Sequence, residues 1–95
     1  MLEKQIEKSV CEYAKSRGLL HYKFTSPAHL GVPDRLFILP SGKIFFIEFK
    51  APGKKPTPSQ VREIGRLENY GCHVWVCDDV LKGKGIIDAY LTGGV

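Results

Sequence analysis

Apolar residues recur along the chain with two different periods, and the change of period separates predicted helices from predicted strands. From about Leu2 to Arg17 they follow helical spacing, and Gly18 stands where a helix C-terminus is expected. A second helix is predicted from Pro58 to Tyr70, because Thr57 can cap it and proline suits a first helical position. Residues 86–91 predict a short last helix.

Four segments show the short apolar or alternating pattern that is typical of β-strands. They are residues 19–24, 34–39, 43–50 and 72–77. Pro40-Ser41-Gly42 separates the middle two, which predicts a hairpin with a three-residue loop. The last segment follows the second helix, so it can return by a crossover and give a mixed sheet. The order helix, three strands, helix, strand therefore predicts an α/β fold.

Length and charge narrow the class of function. A chain of 95 residues is expected to form a single domain, residues 1–95. Its formal net charge of +4 favours a polyanionic partner such as nucleic acid. No apolar run approaches the ~20 residues of a membrane span, and the polar N-terminus does not resemble a signal peptide. We therefore expect a cytoplasmic protein with no membrane partner, and its three cysteines as free thiols.

The side chains that could take part in a chemical reaction cluster on the predicted hairpin. Glu48 and Lys50 end an otherwise apolar strand and share one of its faces, because side chains alternate with period two. With a three-residue loop, Leu39 pairs with Lys43, and the same register places Asp34 opposite Glu48. A two-residue loop would instead put the two carboxylates on opposite faces.

Two carboxylates this close repel each other unless a cation lies between them. Ligands that are all oxygen indicate Mg²⁺ or Mn²⁺ rather than zinc. Lys50 could then offset charge that develops on a phosphate. The set Asp34, Glu48 and Lys50 thus predicts phosphodiester hydrolysis. The alternative is an exposed Glu-Lys pair with Asp34 as a simple turn residue, and the matched position of Asp34 on the partner strand argues against it.

The combined motifs resemble a known family. Gly31-Val32-Pro33-Asp34, then Glu48-Phe49-Lys50, then Gln60 are similar to the VRR-NUC branch of the PD-(D/E)xK nuclease superfamily. Ile6-Glu7, eleven residues before Gly18, also resembles the acidic helix motif of archaeal-type Holliday junction resolvases. The resemblance implies a restriction-endonuclease-like core, a divalent metal ion and action on DNA, often branched. The stand-alone size is typical of phage or mobile-element members, which implies a host cytoplasm as location.

The resemblance also implies roles for single residues. Asp34 and Glu48 would be metal ligands, the backbone carbonyl of Phe49 a third ligand, and Lys50 the catalytic lysine. The remaining two catalytic assignments come from helices.

Glu7 would approach the metals from the first helix, and Glu3, one turn earlier on the same face, is its rival. Gln60 would contact the site from the second helix. From the sequence alone it is equally a capping-box residue for Thr57, and both roles can coexist only if the side chain is shared.

Basic residues around these motifs are the candidate DNA contacts. They are Lys23, Arg35, Lys54, Lys55 and Arg62. A domain this small has little surface for recognition, so a homodimer is expected to set two sites against two strands. Two alternatives are a non-catalytic nucleic-acid-binding module that keeps the fold, and an interaction subunit whose acidic pair is only structural and which acts through a protein partner.

Overall fold

Seven helices and strands follow one another in the computed structural model, which describes all residues from Met1 to Val95. They are α1 (Glu3–Ser16), β1 (Leu20–Lys23), β2 (Arg35–Ile38), β3 (Ile44–Phe49), α2 (Pro58–Asn69), β4 (Val74–Cys77) and α3 (Val80–Leu91). The order predicted from the hydrophobic pattern is confirmed. The ends of the first six elements differ from the prediction by at most two residues.

The four strands form one sheet in the order β1-β2-β3-β4. The first two pairings are antiparallel, whereas β3 and β4 run parallel because α2 carries the chain back between them. The predicted α/β fold with a mixed central sheet is therefore confirmed.

The hairpin between β2 and β3 has the predicted three-residue loop. The amide of Leu39 donates to the carbonyl of Lys43 at 2.9 Å, and Gly42 supplies a positive φ of 90° within the turn. In the ladder, Arg35 pairs with Ile47 and Ile38 with Ile44. The register is the one that places Asp34 opposite Glu48.

The hydrophobic core lies on the face of the sheet that α1 and α3 cover. Phe45, Ile47 and Phe49 of β3 alternate into it and are fully buried. Phe45 stacks between Phe37 and Tyr90, with ring centroids 5.2 and 4.1 Å away. Helix α2 packs at the β4 edge of the opposite face.

The last helix is longer than the sequence predicted. It begins at Val80 instead of residue 86, and the side chain of Asp79 caps it by accepting from the amide of Lys82 at 2.9 Å. Two glycines in its first half, Gly83 and Gly85, obscured the helical pattern. Gly83 is required by packing, since a Cβ there would lie 2.4 Å from Val10 of α1.

Two further expectations concern the cysteines and membranes. Cys11, Cys72 and Cys77 are all free thiols, and the first and last are buried. Burial raises the pKa of the Cys11 thiol to about 11. No helix combines the length and the apolar character needed to span a membrane.

Candidate active site

Asp34 and Glu48 meet at one end of the sheet, where β2 begins and β3 ends. Asp34 immediately precedes β2, and the observed register continues to a pairing with Glu48. Its carboxylate oxygen Oδ2 accepts a hydrogen bond of 2.7 Å from the backbone amide of Phe49. The two carboxylates are therefore held side by side by the backbone of the hairpin.

Glu48 is the most buried charged residue of the molecule, with 2% of its surface exposed. Its Oε2 atom accepts from Gln60 Nε2 at 2.7 Å and lies 3.4 Å from Lys50 Nζ. Its second oxygen, Oε1, is buried and has no hydrogen-bond partner. Buried polar atoms are rarely left in this state, because each costs the free energy of its lost hydration.

The negatively charged forms of Asp34 and Glu48 are both disfavoured in the folded protein. Burial, followed by the negative charge of Asp34, raises the pKa of Glu48 to about 7 despite the opposing effect of Lys50. Burial also raises the pKa of Asp34, against the stabilising hydrogen bond from the Phe49 amide. A cation between the two carboxylates would relieve this penalty.

Gln60 forms two hydrogen bonds with the two polar atoms of its terminal amide group. Its Oε1 atom accepts from the backbone amide of Thr57 at 2.8 Å, while Thr57 accepts from the Gln60 amide, which forms the predicted capping box. Its Nε2 group donates to Glu48 at the same time. The cap thus fixes the amide that orients Glu48.

The loop before Asp34 packs directly on the start of α2. Gly31 has a φ of +86°, and a Cβ at this position would lie 2.5 Å from the carbonyl oxygen of Ser59. Only glycine permits both the conformation and the approach. This contact places the loop that carries Asp34 against the turn that carries Gln60, and nothing in the sequence pattern alone identified it.

Glu7 lies with basic residues rather than with the acidic pair. Its Oε2 atom is 2.6 Å from Arg35 Nε and 3.4 Å from Lys23 Nζ. Both partners project from the face of the sheet that bears the core, since Arg35 pairs with buried Ile47. The charge of Glu7 still raises the pKa of Asp34, and that of Glu3 raises the pKa of Glu48.

The remaining predicted contacts lie apart from the acidic pair. Lys54 and Lys55 are exposed on the loop after β3, which is fixed by a hydrogen bond of 3.0 Å from the Gly53 amide to Asp78. Arg62 is exposed on α2 and lines a cleft of about 340 Å³ with His29. The structure thus brings together Asp34, Glu48, Phe49, Lys50 and Gln60, with Lys23 and Arg35 across the sheet.

Comparison with known proteins agrees with this geometry. A solved structure described as a "VRR_NUC domain" superposes with a TM-score of 0.85 and 34% identity, over 93% of this chain and 96% of that one. The chain belongs to the VRR-NUC family. No protein-family model matches the sequence. A relative named "Putative nuclease p44", from Acyrthosiphon pisum secondary endosymbiont phage 1, is 53% identical over 76 residues, which cover 80% of this chain and 82% of that protein.

One feature of this VRR-NUC site escaped the sequence motifs. The Phe49 amide anchors Asp34, whereas the family resemblance implies a role only for the backbone carbonyl of Phe49. Its position next to Glu48, opposite the start of β2, is the signal that could have revealed this bond, since the register was already predicted.

Proposed function

We propose that this VRR-NUC protein is a divalent-metal-dependent nuclease that hydrolyses phosphodiester bonds in DNA. The observation that carries the proposal is the buried, unpartnered Oε1 atom of Glu48 beside the carboxylate of Asp34. Two anionic groups with one oxygen left unsatisfied form a site for a small hard cation. Family membership supports the nuclease class.

The donor set fits Mg²⁺ or Mn²⁺. No group of three or more His, Cys, Asp or Glu side chains is arranged to hold a metal ion. Mg²⁺ is commonly held by one or two carboxylates together with water and substrate phosphates, whereas structural zinc sites use four protein ligands. Asp34, Glu48 and the backbone carbonyl of Phe49 would hold the ion. When bound, it would polarise a phosphoryl oxygen and lower the pKa of a water molecule.

The side chains around the pair have separate tasks. Gln60 and the Phe49 amide each bind one oxygen of a carboxylate and fix its orientation. Lys50 is only 13% exposed, and its ammonium group can offset the negative charge that develops on the phosphate under attack. Glu7 is a more distant carboxylate of the proposed site, and its negative charge raises the pKa of Asp34.

DNA is the proposed substrate, and branched DNA the preferred form. Lys54 and Lys55 follow Lys50 on the exposed loop after β3, and Arg62 lies one turn beyond the α2 cap. Contacts of this kind bind the phosphate backbone without reading its sequence. Specificity for structure rather than sequence is consistent with such a surface.

The test is cleavage of labelled four-way junction, flap, single-stranded and duplex DNA, with Mg²⁺ or Mn²⁺ and with a chelator. We expect cleavage that requires the ion and is lost in Glu48→Gln. Glu68→Gln is the matched control, because Glu68 is exposed on α2 and contacts none of the site residues. DNA binding without cleavage under any ion would overturn the nuclease and favour a non-catalytic binding module.

A homodimer is the proposed assembly, and an uncovered face of the sheet supports it. On the face opposite the core, Leu20, Tyr22 and Ile44 are 56, 54 and 46% exposed, beside half-buried Leu36 and Phe46. Helix α2 packs on β4 and reaches β3 through the bond from Gln60 to Glu48, and it leaves these three side chains exposed. Adjacent apolar side chains of this kind are typical of a protein interface. The apolar residues 74–76 of β4 are a second possible interface, but they are half-buried and offer less exposed surface.

Light scattering after gel filtration tests this assembly. We expect a dimer for the wild-type chain and a monomer for Tyr22→Lys, since a buried unpaired charge is costly. Leu81→Lys, at an equally apolar and 77% exposed position on α3, should remain dimeric. A monomeric wild-type chain at micromolar concentration would overturn the proposed dimer.

A further inference from the structure

The largest cavity of the molecule is a cleft of about 500 Å³ between α1 and the β1–β2 ladder. It lies on the opposite face of the sheet from Glu48 and Lys50. Basic residues form most of its wall: Lys4, Lys8, Lys15, Lys23 and Arg35. Glu7, Glu12, His21 and Cys11 complete the lining.

The cleft concentrates the positive charge of the protein. Its five basic and two acidic residues give a local charge of +3, while the whole chain carries +4. Lys4, Lys8 and Lys15 are exposed along α1, and Lys23 is 62% exposed on β1. Clefts lined by one sign of charge focus the electrostatic potential and attract ions of the opposite sign.

The shape of this positive surface matches an extended polyanion. Lys4, Lys8 and Lys15 lie near one side of α1, and with a rise of 1.5 Å per residue they span about 16 Å. That length corresponds to about five phosphates along one strand of a duplex. Eight of the nine lining residues carry a polar or charged group at the end of the side chain, whereas pockets for small organic ligands are lined mainly by hydrophobic and aromatic residues.

One pair of residues links the cleft to the acidic pair. Arg35 directly follows Asp34, and Lys23 pairs with Arg35 across the β1–β2 ladder. The end of the cleft formed by Lys23 and Arg35 therefore lies at the same end of the sheet as the two carboxylates. Glu7 binds Arg35 through Nε at 2.6 Å, which fixes the guanidinium. Its Nη1 atom lies 3.4 Å from His21 Nδ1, and the N–H groups of Nη2 are available for other acceptors.

We propose that the cleft between α1 and the β1–β2 ladder is a second phosphate-binding surface, which holds the DNA backbone that extends beyond the scissile phosphate. The proposal rests on DNA as the substrate. It assigns binding to Lys4, Lys8 and Lys15 and makes Glu7 a positioning residue for Arg35. The acidic pair and the cleft lie on opposite faces of the sheet at the same end of its strands, and both would contact the same DNA.

Metal-free DNA binding tests this surface without cleavage. Fluorescence anisotropy with a labelled 20-base-pair duplex is measured in chelator over a series of salt concentrations. The slope of log K against log salt is negative, and each lost phosphate contact reduces its magnitude by about 0.9. We therefore expect Lys8→Gln/Lys15→Gln to reduce the magnitude of the slope by about 2 and to weaken binding at low salt.

The control variant removes the same charge elsewhere. Lys43→Gln/Lys82→Gln alters two exposed lysines outside the cleft and should leave the slope near the wild-type value. An unchanged slope in the cleft variant, or an equal fall in the control, would overturn the proposal. Cleavage in Mg²⁺ is scored separately: a wild-type protein that cuts nothing but shows the expected slopes refutes the nuclease and leaves the cleft supported.

Discussion

Gln60 shows at the level of a single residue how a helix cap and the candidate active site share a side chain. Its carbonyl oxygen closes the capping box with Thr57, and its amide group donates to Glu48. Because the first bond restricts the side chain, the second is formed without further loss of conformational entropy. The site therefore depends on the stability of the first turn of α2.

A comparison of substitutions at Gln60 and Thr57 separates the helix cap from the support of Glu48. We expect Gln60→Ala to lower the free energy of unfolding by about 1 kcal/mol and to reduce cleavage strongly, since both the cap and the support of Glu48 are lost. Thr57→Ala should lower stability by a similar amount, about 1 kcal/mol, and reduce cleavage less. Urea denaturation and the cleavage rate at saturating DNA measure the two effects. Equal cleavage rates in both variants would contradict a direct role of Gln60.

The acidic pair could be predicted from the sequence because it depends on local rules. Strand alternation placed Glu48 and Lys50 on one face, and the length of the hairpin loop fixed Asp34 opposite Glu48. The position of Glu7 could not be derived in this way. Its ion pair with Arg35 depends on how α1 packs across the sheet, which no local pattern specifies.

Between elements, the loop before β2 packs directly against the first turn of α2. Gly31 makes this possible, since its backbone lies against the carbonyl of Ser59. The contact was invisible in the sequence because it joins two segments almost thirty residues apart.

Substitution of Gly31 tests this contact. Gly31→Ala should lower the free energy of unfolding by about 1–3 kcal/mol and reduce cleavage, because α2 must move and carry Gln60 away from Glu48. Gly53→Ala is the matched control: its φ is +79°, but nothing lies within 4 Å of the added Cβ. It should show the backbone strain alone. Urea denaturation and cleavage assays compare the two, and equal losses would refute the packing role.

Helix α3 contains two glycines, Gly83 and Gly85, whose surroundings differ. Gly83 touches Val10 where α3 crosses α1, whereas Gly85 is exposed and has no neighbour within 4 Å. We expect Gly83→Ala to destabilise the protein by about 1–3 kcal/mol through overpacking. Gly85→Ala should stabilise it by up to about 1 kcal/mol, because alanine has the higher helix propensity. Opposite shifts of the urea midpoint would confirm this assignment, and shifts of the same sign would contradict it.

Across the whole molecule, the sheet divides two kinds of electrostatic surface. One face carries a buried acidic pair, and the other carries the basic cleft beside α1. The acidic pair and the basic cleft approach each other at the end of the sheet where β1 and β3 end. Composition alone predicted the excess of positive charge, but its segregation follows from the fold, because the lysines of α1 and β1 are brought together only by tertiary packing.

The buried acidic pair leads to a prediction about the stability of the whole chain. Without a cation, burial and mutual repulsion make the charged form of Glu48 unfavourable in the folded state, so Glu48→Gln should raise the melting temperature in chelator. With Mn²⁺, the wild-type protein gains stability of RT ln(1 + [L]/Kd), and the variant loses much of this gain. The order of the two melting temperatures should then reverse. Differential scanning fluorimetry with and without Mn²⁺ measures the reversal, with Glu68→Gln expected to follow the wild-type protein in both conditions. If Mn²⁺ shifts the melting temperatures of the wild-type protein and Glu48→Gln equally, the ion is not held by Glu48, and the metal site has to be sought elsewhere.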